Sequence, residues 1–239
     1  MNRKKIFGIL LILSVLLFVS CNQKEFLQRM QENEEGVRNP TTTTELEDAI
    51  SKYERRVEDI MLAQNRIAIW YKILGMRYID SEMYPKALEC FMKALEYYPE
   101  NHNLYYQVGI CASNIAKRFI GDFDAAGKNK QYYYTLAEDA YDTALQLYPN
   151  YTKAANALAV LCVYELHKPE KAISVLLPVI QRETKNYPAL FVLASAYYMN
   201  HDFDSAIQIY KQVLETAKDE AVIKSAKENI SQIELDKLR

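Results

Sequence analysis

Turn-forming residues are scarce in this chain. Its 239 residues include 6 Gly and 7 Pro, about 5% together against roughly 12% in average usage. A sheet-rich fold with many tight turns needs more of both, so helices joined by short loops are expected. No charge of one sign dominates. The 29 Lys+Arg face 31 Asp+Glu, without the basic excess of a nucleic-acid-binding protein, and no nucleic-acid partner is expected. Histidine is rare and dispersed, at His102, His167 and His201. No HExxH helix, CxxC pair, glycine-rich phosphate loop or nucleophile elbow is present, so neither catalysis nor a metal or cofactor is expected. What the chain does have is 50% apolar residues and 19 Tyr. That composition excludes collagen-like, low-complexity and wholly disordered chains.

A long apolar run is also missing. Ile6–Val19, broken by Gly8 and Ser14, is shorter than the roughly 20 residues a spanning helix needs. It follows the basic stretch Met1-Asn2-Arg3-Lys4-Lys5 and ends Leu17-Phe18-Val19-Ser20-Cys21. This resembles a bacterial lipoprotein signal peptide over residues 1–20, whose cleavage would leave Cys21 as a lipidated N-terminus. Phe18 stands where such a box usually carries Leu, and an uncleaved signal anchor is the alternative. Losing residues 1–20 removes three basic residues and no acids, leaving a net charge of −5. Attachment through a basic patch on anionic lipid is then disfavoured, and lipid chains would hold the protein. Residues 21–43 are polar, with Pro40 and Thr41–Thr44 at their end, and read as a tether.

Internal repetition organises the remainder. Ala68–Asn101 carries Tyr71, Leu74, Gly75 and Tyr78 at helical spacing, then Ala87, Phe91 and Ala94, then Pro99. The first set lies on one face of a helix and the second on one face of another. Gly75 and Ala87 are small, which lets the helices approach closely, and Pro99 halts the second helix. The pattern recurs as Tyr105, Val108, Gly109, Ala112, Ala137, Tyr141, Ala144 and Pro149. Gly75 to Gly109 is 34 residues but Ala87 to Ala137 is 50, so about sixteen residues are inserted near Lys117–Tyr132, predicting longer helices and an exposed loop. A third unit has Ala155, Leu158, Ala159, Cys162, Ala172, Leu176 and Val179, with Pro178 expected to kink its second helix. A fourth has Leu190, Leu193, Ala194, Tyr197, Ala206, Tyr210 and Val213.

These residues resemble the signature of the tetratricopeptide repeat. The resemblance implies an all-α solenoid of helical hairpins, a right-handed superhelix, with four repeats over 67–220 (68–101, 102–151, 152–186 and 187–220). A capping box at Thr44-Glu45-Leu46-Glu47 opens an amphipathic helix over 44–66 with Leu46, Ile50, Tyr53, Val57, Ile60 and Gln64 on one face. Val222, Ala226, Ile230 and Ile233 mark a C-terminal helix over 221–239 that would cover the end of the solenoid. The whole resembles tetratricopeptide-repeat lipoproteins of Gram-negative and spirochaetal envelopes, which implies a lipid-anchored protein facing the periplasm.

In that family the first helix of each repeat lines the concave face. The corresponding residues are Lys72, Met76 and Ile79; Tyr106, Ile110, Ser113 and Asn114; Lys153, Asn156, Val160, Val163 and Tyr164; and Phe191, Ser195, Tyr198 and Met199. Lys72 and Lys153 fall at carboxylate-clamp positions of some family members, but Met76 and Ala157 stand where Asn and Arg are expected. The mainly apolar list points to a scaffold that takes an envelope protein or peptide in its groove. The alternative is a cavity for a small apolar ligand or a transporter-associated role; a groove filled by the chain's own flanking segments is the third possibility. Tyr132, Tyr133 and Tyr134 beside the insertion are further contact candidates. Cys90, Cys111 and Cys162 read as buried thiols, with a Cys111–Cys162 disulfide as the alternative.

Overall fold

The computed structural model describes residues 41–122, 124 and 127–238. The expected leader (1–20), Cys21 and the tether up to residue 40 lie outside them. Among the described residues the chain is all helical: α1 (Thr43–Asp80), α2 (Tyr84–Tyr97), α3 (His102–Lys117), α4 (Lys130–Leu147), α5 (Thr152–Tyr164), α6 (Pro169–Arg182), α7 (Tyr187–Met199), α8 (Phe203–Thr216) and α9 (Glu220–Asp236). The chain divides into two units, residues 1–62 and 63–239.

The described part of the first unit is the N-terminal stretch of α1, in which no residue is buried. The capping box sits two residues earlier than the sequence suggested. Thr42 Oγ1 accepts from Glu45 N at 3.3 Å, and the Glu45 carboxylate accepts from Thr42 N at 3.0 Å and Thr41 N at 2.8 Å. Those backbone donors hold the Glu45 carboxyl down to about 2. The expected division between a helix over 44–66 and a repeat starting at residue 67 is also absent. α1 runs through it, because Ala63-Gln64-Asn65-Arg66-Ile67 contains neither glycine, proline nor a cap to stop a helix.

In the second unit, helices that follow one another in sequence pack together, and alternate helices α3, α5, α7 and α9 stack in a row. The repeat positions explain this. Ala87, Ala137, Ala172 and Ala206 are all fully buried, as are Phe91 and Leu176. Tyr141 and Tyr210, at the same position of their repeats, are 1% and 4% exposed. A Cβ on Gly75 would come within 2.8 Å of Phe91 Cε1, so glycine is what allows this approach of α1 and α2. Leu74 departs from expectation. It is 40% exposed, whereas Val108, Leu158 and Leu193 at the equivalent position are 2% exposed or less. Each of those three has a preceding repeat to cover it; Leu74 belongs to the first.

Two of the hairpin turns share a stop. Met83 N donates to Tyr78 O and Glu82 N to Ile79 O, and Asp202 N donates to Tyr197 O and His201 N to Tyr198 O. These are the paired bonds of a Schellman cap, with Glu82 at φ 57° and His201 at φ 58°. His167, at φ 53°, lies in the one-residue-longer turn of the third repeat. α6 continues through Pro178, which faces solvent. The insertion forms the segment between α3 and α4, and α4 starts at Lys130. Consequently Tyr133 and Tyr134 belong to a helix and are buried, not available for contact as expected. The Tyr133 hydroxyl donates to Asp124 Oδ2 at 2.5 Å, and Tyr134 donates to Glu165. Cys90, Cys111 and Cys162 are buried free thiols, so the alternative disulfide does not form.

Candidate functional site

The concave side is set by which face of each alternate helix the core claims. α3 commits Leu104, Val108, Cys111 and Ala112 to the core, and α5 commits Ala154, Ala155, Leu158, Ala159 and Cys162. Asn101 fixes the start of α3 by accepting from Asn103 N and Leu104 N at 3.0 and 3.2 Å. The remaining faces of α3 and α5 then border a concavity of about 390 Å³. It is lined by Tyr106, Ile110, Ser113, Asn114 and Lys117 from α3, Lys153, Asn156, Ala157, Val160 and Leu161 from α5, and Tyr141 from α4. Of the predicted groove residues, Tyr106, Ile110, Asn114, Asn156 and Val160 meet here, with Ser113 and Lys153.

The chemistry of this concavity is more polar than the sequence suggested. Its lining contains two lysines and no carboxylate. Lys117 approaches Glu165 at 4.0 Å with both side chains partly solvated, while Lys153 is exposed and has no ion pair among the described residues. Asn114 Nδ2 donates to Ile110 O at 2.8 Å, but Asn156 Oδ1 is buried without a hydrogen-bond partner. Such an acceptor costs free energy until a donor reaches it. Ser113 Oγ and Tyr141 Oη are 3.4 Å apart. Burial raises the phenol pKa of Tyr106, Tyr141 and Tyr151, keeping them neutral. Tyr106 packs edge-on against Tyr151 at 5.4 Å, and Tyr151 donates to Asn103 Oδ1 at 2.8 Å, forming an aromatic wall at one end.

The other predicted residues lie apart from this concavity. Lys72 and Met76 are exposed on α1; Lys117, which the repeat register did not single out, takes the place of a second cation beside Lys153. Val163 is fully buried in the core, because its side of α5 faces the neighbouring helices. Tyr164 is exposed, and its hydroxyl donates to Ser195 Oγ at 3.3 Å. Ser195 in turn donates to Phe191 O at 3.0 Å. Phe191 leans edge-on against Tyr210 at 5.3 Å, and Tyr198 donates to Asp236 Oδ2 of α9 at 2.9 Å. α9 therefore engages the far end of the predicted groove.

A second concavity, of about 540 Å³, lies on the opposite helices and was not anticipated. Tyr71, Leu88, Cys90, Met92, Tyr132 and Leu136 form its apolar walls, with Glu89, Lys93 and Lys128 at its charged edge. Tyr132 is 42% exposed, with Lys128 Nζ 4.6 Å from its ring centre. The tyrosine run in the first turn of α4 was the sequence signal for it; which of the three points outward depended on the helix start. Among the described residues, no group of His, Cys, Asp and Glu could hold a metal ion.

Residues 163–230 match the family model described as tetratricopeptide repeat. A TPR repeat-containing protein of Borreliella burgdorferi is 24% identical over 229 residues, spanning 93% of this chain and 96% of that protein. Among solved structures, MamA from Desulfovibrio magneticus RS-1 superimposes with a TM-score of 0.55 at 18% identity, over 72% of this chain and 97% of that one. YrrB, described as a TPR protein with an unusual peptide-binding site, superimposes with a TM-score of 0.54 at 22% identity, over 85% of this chain and 97% of its own. The fold of this chain is that of a tetratricopeptide-repeat solenoid.

Proposed function

We propose that this tetratricopeptide-repeat protein is an envelope-anchored scaffold that takes an extended, acidic segment of a partner protein between α3 and α5. Tetratricopeptide-repeat proteins are generally non-catalytic scaffolds, and this fold suits protein or peptide binding. One observation carries the choice of ligand: the concavity brings Lys117 and Lys153 together and has no carboxylate in its lining. An acidic side chain or a terminal carboxylate meets both lysines there. A peptide N–H supplies the donor that Asn156 Oδ1 lacks, and Tyr106, Ile110 and Val160 cover apolar side chains. Anchoring rests on the lipobox-like run ending at Cys21.

The test is a photo-crosslinking amino acid placed at Ala157 in the full chain, in cells. It is expected to trap a partner whose yield falls tenfold or more with Lys117→Glu and Lys153→Glu together. Tenfold is about 1.4 kcal/mol, the scale of one hydrogen bond to a charged group. An unchanged adduct in that double variant overturns the acidic-segment reading. For the anchor, Cys21→Ser is expected to abolish fatty-acid labelling and move the protein out of the membrane fraction; persistent labelling refutes it.

The second concavity favours a second reading, a small apolar ligand held beside α2. Native mass spectrometry of the purified protein is expected to show a co-purifying molecule that Met92→Glu removes. If the wild-type mass carries no adduct, that reading fails.

A further inference from the structure

The N-terminal stretch of α1 carries an apolar seam that no other helix covers among the described residues. Leu46, Ile50, Tyr53, Val57 and Ile60 are 47, 56, 41, 56 and 58% exposed. They follow one another at steps of 4, 3, 4 and 3 residues. That is a repeat of 3.5, the period of a seam that packs on another helix, and over these two heptads it drifts only about 40° around α1. A lone helix of this length is marginal in water unless its apolar stripe is packed. This one is capped by Thr42 and Glu45, so its start is well defined while its side is left open among the described residues.

We propose that this stretch pairs with the same stretch of a second copy of the chain as a parallel, in-register, two-stranded coiled coil. The layer residues support it. The steps place Ile50 and Val57 at the a positions and Leu46, Tyr53 and Ile60 at d. In a parallel coiled coil, β-branched residues at a favour two strands when Leu stands at d, as Leu46 does here beside Tyr53 and Ile60. A second copy supplies five matching layers by symmetry. The chain's own residues 22–40 offer fewer: of Phe26, Leu27, Met30 and Val37, only Phe26, Met30 and Val37 fall on one such seam, with the polar Asn33 between the last two. A lipid surface is disfavoured by charge. Residues 43–62 hold six acidic side chains against Lys52, Arg55 and Arg56, where an interfacial helix is rich in Lys and Arg. The proposal is independent of the concavity and of what it binds.

Cysteine cross-linking in the full chain tests it. Val57→Cys, at an a position, is expected to give a band of doubled mass after oxidation with copper–phenanthroline. Arg55→Cys, at the outward f position, should give at most a tenth as much, and the unsubstituted chain none. Adding Ile50→Glu to Val57→Cys should remove the doubled band. Two differently tagged copies should co-purify from cells expressing both, and Ile50→Glu with Val57→Glu should separate them. These side chains are exposed in the single chain, so circular dichroism is expected to show the solenoid still folded in every variant. Equal bands from Val57→Cys and Arg55→Cys overturn the proposal. So does no doubled band from Val57→Cys, or an adduct of another mass, which would mean a different occupant.

Discussion

Gly109 of α3 lies directly beneath the ring of Tyr141 on α4: a Cβ on the glycine would stand 2.6 Å from Tyr141 Cδ1 and 2.7 Å from Cζ. Those separations are well inside van der Waals contact, so the two helices meet at this distance only because residue 109 has no side chain. The ring itself is 1% exposed and has no room to withdraw. Gly109→Ala is expected to destabilise the protein by about 1–2 kcal/mol, since overpacking typically costs more than the ~1 kcal/mol that alanine gains in a helix. Urea unfolding measures it. The third repeat carries Ala159 and Leu176 at the same two positions, so Gly109→Ala with Tyr141→Leu should lose less than the two single losses added together. Full additivity would mean that the contact is not what glycine serves.

Glu138 gives the protein a pH-dependent tie between its second and third repeats. The residue is 8% exposed. Lys168 Nζ donates to Glu138 at 2.7 and 2.8 Å and Lys171 Nζ at 2.7 Å, while Lys171 also reaches Asp142 at 2.6 Å. Burial pushes the Glu138 carboxyl up, but the two lysines together outweigh it and hold it below its ordinary 4.5. A carboxyl depressed by folding stabilises the native state above its ordinary value and loses that contribution as pH falls through the depressed one. Glu138→Gln is therefore expected to cost about 1–2 kcal/mol at neutral pH. The gap between variant and wild type should close below about pH 4.5 in thermal unfolding. A gap independent of pH would mean that packing, not charge, is lost.

The Schellman turn at His201 offers a stabilising change. A left-handed conformation costs a non-glycine residue roughly 1–2 kcal/mol relative to right-handed backbone, and His201 sits at φ 58°. His201→Gly is expected to raise the thermal midpoint by about 2 °C, a gain of ~0.5–1 kcal/mol. Its ring contact with Phe203, at 6.0 Å, is a small loss. Glu82→Gly should gain less, because Glu82 also pairs with Arg118 at 2.9 Å.

The three internal cysteines should be inert in the folded protein. Burial pushes the Cys111 thiol up to about 12 and the Cys162 thiol up to about 11, and it raises Cys90. The reactive species is the thiolate. Iodoacetamide at pH 8 is expected to leave all three unmodified in native protein and to label all three in concentrated urea, read by peptide mass spectrometry. Rapid native labelling of Cys90, which borders the second concavity, would show that this wall opens.

The hairpin cores were legible because they are periodic. Alanines at one position of every repeat and large residues four places on are local patterns, and all eight of those residues are buried. The same logic misplaced Leu74, since a repeat position does not say whether a neighbour exists on that side. It also misplaced Tyr133 and Tyr134, because the start of α4 decides which tyrosine faces in, and a one-residue change in phase turns a helix by about 100°.

By itself, then, the amino-acid sequence determined the helical hairpins, their close contacts at Gly75 and Gly109, and the 3.5-residue spacing of the apolar face of α1. These depend on spacing within one or two helices. Only the tertiary structure decided that Lys117 and Lys153 share one concavity without a carboxylate, that Asn156 Oδ1 is left without a donor, and that Tyr198 is occupied by α9. Those facts depend on how helices distant in sequence are set side by side. A list of exposed faces does not contain that arrangement; the packing of the buried faces does.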